Sequence, residues 1–172
     1  MAPSYHPDLN FELGDADFLC TAEGLPEIER GEILASLSKM ILSPSGWRGI
    51  FSKDGRDEGK LAEIGLSHRY IVAAAALSFA SLILKEKAIE DLHIVVATDS
   101  RPTGPAIAND ILRCLLGLGL RVSYSSITAI PELMAWCRSD ALGHAHCDGF
   151  IYVSASHNPI GHNGLKFGLS DG

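Results

Sequence analysis

The period of the apolar positions changes several times along the chain, and each change marks an element. Ile28, Leu34, Leu37 and Ile41 recur at helical spacing behind Pro26, with Glu27 and Glu29 near the positive end, which predicts a helix over about 26–41. Ser45-Gly46 reads as a turn into a strand near 47–51, and the charged, glycine-containing stretch 52–60 as a loop. Ile71 to Leu84 is a 14-residue apolar run interrupted only by Ser78 and Ser81. A membrane span needs about 20 residues, so the run predicts a helix buried against a sheet, capped by Ser67.

The stretch 93–125 carries a β-α-β signal. His93 to Ala97 reads as a strand, Pro105 to Leu116 as a helix with Ile107, Ile111, Leu112 and Leu115 inward, and 121–125 as the next strand after Gly117 and Gly119. Thr128 to Ser139 predicts a short helix, followed by a histidine-bearing loop, a strand at 150–154 and a closing strand at 164–168. The fold class expected from this order is α/β: three layers, α/β/α, around a mixed, mostly parallel sheet of four to five strands.

Composition narrows the function classes. With 172 residues and 47% apolar side chains the chain supports one well-buried core. The net charge of −7 sits entirely in residues 1–32, which hold eight acids and one base, while residues 33–172 hold 13 of each. An acidic arm over 1–25 and a globular part over 26–172 that is neutral from residue 33 onward give no footprint for nucleic acid, and no segment is left for a membrane. Cys20, Cys114, Cys137 and Cys147 have no CxxC spacing and follow no secretory signal, so a reducing, cytoplasmic location is expected. His144, His146 and Cys147 cluster, but with no fourth ligand at a recognisable spacing a polar loop explains them as well as a metal does.

The chemistry concentrates after the run Phe150-Ile151-Tyr152-Val153. That strand composition breaks into Asn, Pro and Gly, placing Ser156 on a tight loop at a strand's carboxyl end, where open α/β sheets hold ligands. From Ile151 to Leu169 there is no acid, while Ser156, His157, Asn158, His162, Asn163 and Lys166 supply donors. Such a surface suits an anion, and a hydroxyl within it can carry a phosphoryl group. A serine hydrolase is disfavoured, because the nucleophile elbow needs Gly two residues either side of the serine and Ser154 and Asn158 stand there.

Ser154-Ala155-Ser156-His157-Asn158-Pro159 followed by Asn163-Gly164-Leu165-Lys166 resembles the active-site serine loop of the α-D-phosphohexomutases, the family of phosphoglucomutase, phosphomannomutase and phosphoglucosamine mutase. Two further loops resemble that family in the same order: Ser45, Gly46, Arg48 and Gly49 match one segment, and Asp99, Arg101 and Gly104 another. The resemblance implies that Ser156 carries the phosphoryl group, that His157 lies beside it, that Lys166 is an acid/base and that Arg48 points at the phosphate. Asn158, Asn163, Gly164, Asp99 and Arg101 are implied as supports of the loop and phosphate.

By the same resemblance, residues 26–172 form the first of four domains, and domains 2–4 lie outside this chain. The implied reaction moves a phosphoryl group between the 1- and 6-positions of a hexose phosphate through a phosphoserine and a sugar 1,6-bisphosphate. The implied cofactors are Mg²⁺, bound to Ser156 through its phosphate and otherwise by ligands of a later domain, and an activator of the glucose 1,6-bisphosphate type. The implied partners are the hexose phosphate and the remaining domains, and the chain alone is expected to be inactive. The alternative is a non-catalytic phosphosugar- or anion-binding domain. Whether the sugar is glucose, mannose or glucosamine stays open.

Overall fold

The structure is a computed structural model and describes residues 4–5, 12–13, 26–85, 92–139 and 147–171. In chain order the elements are β1 (Ser4–Tyr5), β2 (Glu12–Leu13), α1 (Arg30–Leu37), β3 (Ile41–Ser43), β4 (Gly46–Ile50), α2 (Leu66–Ile83), β5 (His93–Thr98), α3 (Gly104–Gly117), β6 (Arg121–Ile127), α4 (Ile130–Arg138), β7 (Gly149–Val153) and β8 (His162–Leu169). β1 and β2 pair antiparallel within the acidic arm, whose other residues lie outside those described. His144 and His146 also fall outside them.

β5 and β7 are buried at every residue, as strands covered on both faces must be. They occupy the middle of a six-stranded sheet ordered β3-β4-β8-β7-β5-β6. Alternation along the strands divides the core in two. Ile94, Val96, Ile151, Val153 and Leu165 face α2 and α3, while Val95, Ala97, Phe150 and Tyr152 face α4 through Leu133 and Cys137. The α/β/α layering follows from these two clusters.

Two expectations about the sheet are corrected. It has six strands rather than four or five, and it is not mostly parallel: β5 pairs parallel with β6 and β7, but β3–β4, β4–β8 and β8–β7 are antiparallel. The reason is connection length. A return from β7 to β8 through the short loop 154–161 leaves no room for a crossover, so β8 must run back against β7.

The helix expected over 26–41 is shorter, because its apolar residues are shared between two elements. α1 spans only Arg30–Leu37, buries none of its residues completely, and leaves Leu34 half exposed; Ile33 and Leu37 lean on the core instead. Ile41 belongs to edge strand β3 and is 62% exposed. α2 begins at Leu66 behind Gly65, so Ser67 lies inside the helix and is not its cap. α2 is long and apolar enough to cross a membrane, yet here it packs on α1 and α3 and buries Ile71, Val72, Ala75, Ala76, Phe79, Ala80 and Ile83. An Arg69–Asp110 fork, with Nε–Oδ2 at 3.0 Å and Nη2–Oδ1 at 2.9 Å, locks α2 to α3.

Candidate functional site

β7 delivers the chain to the end of the sheet where β5 also finishes, and the backbone there must turn through 154–161 into β8. Ser156 sits on this turn, exposed, with φ of 59°, a left-handed conformation that costs a non-glycine residue about 1–2 kcal/mol. The surroundings hold it there. The Ser156 amide donates to Ser154 Oγ at 3.0 Å, and the Ser154 amide donates to the Gly164 carbonyl at 2.9 Å, fastening the start of the loop to β8.

Arg101 is the main brace. Its side chain is 9% exposed, and Nη2 donates to the carbonyls of Ser156 at 2.8 Å and Asn158 at 2.6 Å. Nη1 donates to His162 O at 3.1 Å and also to Pro159 O. Asp99 orients the guanidinium, accepting from Arg101 Nε at 3.2 Å and from the Arg101 amide at 3.0 Å, while its own amide bonds Val153 O at 2.9 Å. A planar fork with five donors can satisfy several carbonyls that a bent loop leaves unpaired. Arg101 and Asp99 thus shape the loop from beneath; the guanidinium reaches Ser156 through its carbonyl, on the main chain.

Asn163 is fully buried, donating from Nδ2 to Thr103 Oγ1 at 2.9 Å and accepting the Gly164 amide at 2.9 Å. His162 Nε2 lies 2.6 Å from Asp57 Oδ1. Both were expected to present donors to an anion; folding turns them instead toward the segment before α3 and the loop after β4. Asn158 contributes its carbonyl to Arg101, and His157 is exposed beside Ser156. The acid-free character of 151–169 is also local to the sequence, since Asp57 and Asp99 come in from other loops.

Gly164 has a steric role. A Cβ there would lie 2.2 Å from Trp47 O and 3.0 Å from Ser154 O, both main-chain atoms. Gly164→Ala is therefore expected to pry β8 from β4 and lower stability by about 2–4 kcal/mol, read as a fall in the urea midpoint. Gly31→Ala, with nothing within 4 Å of the added Cβ, serves as the neutral-to-stabilising control.

Lys166 and Arg48 bring two cations together on one face of the sheet. Arg48 pairs across strands with Gly164, and Lys166 follows two residues on, so both side chains project from the α4 face of the sheet. Lys166 is half-buried with Nζ 5.9 Å from the centroid of the Tyr152 ring. Burial lowers its pKa below the ordinary lysine value, the Arg48 charge lowers it further, and Asp99 opposes both. Arg48 Nη2 donates to Ser45 O at 3.2 Å and Ser45 Oγ at 3.3 Å, while its buried Nε has no partner among the described residues. A cleft of about 370 Å³ opens beside Lys166, walled by Ser45, Trp47, Phe150 and, from α4, Ile130 and Met134.

No group of three or more His, Cys, Asp or Glu side chains able to hold a metal occurs among the described residues. The Ser156 hydroxyl alone is a single ligand, and Asp99 is committed to Arg101. The residues present do not by themselves fit a magnesium site. Ser154, Thr103, Asp57 and Tyr152 are the partners that sequence reasoning missed; only the small hydroxyl residue two before Ser156 carried any local signal.

Comparison with known proteins places the fold in a family. Residues 44–172 match the family model described as phosphoglucomutase/phosphomannomutase, alpha/beta/alpha domain I. A phosphoglucomutase of Staphylococcus epidermidis is 30% identical over 128 residues, 74% of this chain and 21% of that protein. A phosphoglucosamine mutase of Lactococcus lactis subsp. cremoris is 29% identical over 94 residues, 55% of this chain and 20% of that protein. The chain thus spans about a fifth of the length of these curated relatives. A crystal structure of a phosphoglucomutase/phosphomannomutase family protein from Burkholderia thailandensis shares the fold, with TM-score 0.56 and 23% identity over 76% of this chain and 27% of that one. With the serine loop, its braces and three quarters of the sequence inside the matched region, the chain belongs to the phosphoglucomutase/phosphomannomutase family and carries its α/β/α domain I.

Proposed function

We propose that this chain is the phosphoryl-carrying domain of a phosphohexomutase, an intramolecular phosphotransferase that moves a phosphoryl group between the 1- and 6-positions of a hexose phosphate through phosphorylated Ser156. The observation that carries the reading is the exposed Ser156, held left-handed by a buried arginine that lies under its loop. A nucleophile needs exposure and a fixed aim, and this arrangement supplies both. The Arg101 charge beneath the loop also favours a dianionic group above it.

In the proposed cycle a sugar hydroxyl oxygen attacks the phosphorus of phosphorylated Ser156, and the bond from phosphorus to Ser156 Oγ breaks. The bisphosphorylated sugar then turns round and returns its other phosphoryl group to Ser156. Lys166, with its depressed pKa, is the group proposed to take and return the hydroxyl proton, and Arg48, with an unpartnered buried Nε, to neutralise phosphate charge. Magnesium, a glucose 1,6-bisphosphate-type activator, the hexose phosphate, the remaining domains and a cytoplasmic setting belong to the same proposal. No step above is routed through the metal, because its other ligands would come from outside this chain.

Lys166→Ala in the complete parent enzyme is expected to leave Ser156 phosphorylatable and to lower kcat by about 10²–10⁴-fold. The sign in pH follows from the depressed value. The neutral lysine that acts as base grows in as pH rises toward the folded-state pKa, so the alkaline-rising limb of kcat against pH should vanish in Lys166→Ala. The 172-residue chain alone should show no turnover, even with Mg²⁺ and sugar bisphosphate. If the complete enzyme binds hexose phosphate but never turns it over, the chain is a non-catalytic phosphosugar-binding module instead.

A further inference from the structure

We propose that Cys137 and Cys147 are a thiol pair that closes reversibly to a disulfide, stapling the last turn of α4 to the root of β7. Their Sγ atoms lie 3.1 Å apart, and both residues are almost wholly buried, 4% and 1% exposed, within the cluster that joins α4 to Phe150 and Tyr152. Bond formation needs the sulfurs to close to about 2.05 Å, a movement of roughly 1 Å. Cys137 is the penultimate residue of α4, and Cys147 stands two residues before β7, the strand that runs into the Ser156 loop. Cys114 is on α3, across the sheet, and neither Cys137 nor Cys147 has any part in the phosphoryl chemistry proposed above.

The two thiols are chemically unequal. Cys147 Sγ donates to Cys137 Sγ at 3.1 Å, and this hydrogen bond lowers the Cys137 pKa against the opposing effect of burial. The same bond and its own burial raise Cys147. Cys137 is therefore the attacking thiolate and Cys147 the resolving thiol. Burial restricts the oxidant to a small one, and hydrogen peroxide is of that class. Cys137 attacks one peroxide oxygen, the O–O bond breaks, and the departing hydroxide takes a proton to become water. Cys147 then attacks the Cys137 sulfenic sulfur, the S–S bond forms as the S–O bond breaks, and the Cys147 proton leaves with that hydroxyl as a second water. Two thiols are oxidised and one peroxide is reduced; a dithiol reverses the step by exchange. The staple would fix α4, whose Ile130 and Met134 form one wall of the cleft beside Lys166.

The complete protein, reduced and freed of reductant, is treated with stoichiometric hydrogen peroxide, alkylated in denaturant and mapped by peptide mass. The proposal expects the peptides holding Cys137 and Cys147 to disappear together from the alkylated pool and reappear joined, lighter by two hydrogens, with full return after dithiothreitol. Cys147→Ser should instead leave a Cys137 sulfenic acid that dimedone traps. Full alkylation of both residues after peroxide, or sulfinic acid on either without a joined peptide, would overturn it. If Cys147→Ser does not fold, the wild-type map decides alone.

Discussion

Arg101→Ala is expected to unfold the domain at a temperature about 10 °C below wild type. The substitution removes donors from the carbonyls of Ser156, Asn158, Pro159 and His162 and strips Asp99 of its cation. Deleting one partner of a buried charged network costs about 3–5 kcal/mol. For a domain of this size each kcal/mol moves the midpoint by about 2–4 °C. Arg101→Lys should recover little, since a single ammonium cannot serve carbonyls spread across a whole loop. Calorimetry of the three proteins checks this, and an Arg101→Ala midpoint within about 2 °C of wild type would remove Arg101 as the brace.

Ser156→Ala carries the largest expected effect on activity. The side chain is exposed and only the main chain is held, so the fold should survive with little change in stability, because serine already carries the Cβ that strains a φ of 59°. Mutase turnover in the complete enzyme should nevertheless fall by at least about 10⁴-fold, because the atom proposed to carry the phosphoryl group between the two transfers is gone. The pairing of a near-native melting curve with lost turnover separates this substitution from Arg101→Ala, which should damage both. An active Ser156→Ala enzyme would end the phosphoserine mechanism.

Much of the architecture is legible in the sequence where a signal is local. β5 announces itself as a continuous apolar run, α3 by its 3.6-residue period and β6 by the alternation of Val122 and Tyr124 with polar residues, and the inward residues Ile107, Ile111, Leu112 and Leu115 are all buried. The turn at Ser156 is equally local, written in its Asn, Pro and Gly. What escapes are pairings between distant segments. β3 hides because Ile41 and Leu42 fit helical spacing as well as an exposed edge strand. The antiparallel return of β8 depends on how short a loop can be, which apolar pattern does not encode.

The site divides in the same way. Ser156, Lys166 and Arg48 are marked by motif, but the partners that decide each side chain's task lie far along the chain. Asn163 meets Thr103 across 60 residues and His162 meets Asp57 across 105, so two donors that look free for an anion are structural ties. Arg101 reaches the serine loop across 55 residues, and nothing local to Asp99-Ser100-Arg101 says that its guanidinium is spent on carbonyls.

The central claim is that Ser156 is the phosphoryl carrier, and phosphosite mapping tests it most directly. The complete parent enzyme is incubated with a hexose 1,6-bisphosphate, quenched, and read by intact mass and peptide mapping. The expected result is one phosphoryl group per chain, on the peptide containing Ser156 and assigned to that residue, absent from Ser156→Ala and discharged on adding hexose monophosphate. An enzyme that turns over while Ser156 stays unmodified, or while the group sits on another residue, would contradict the account.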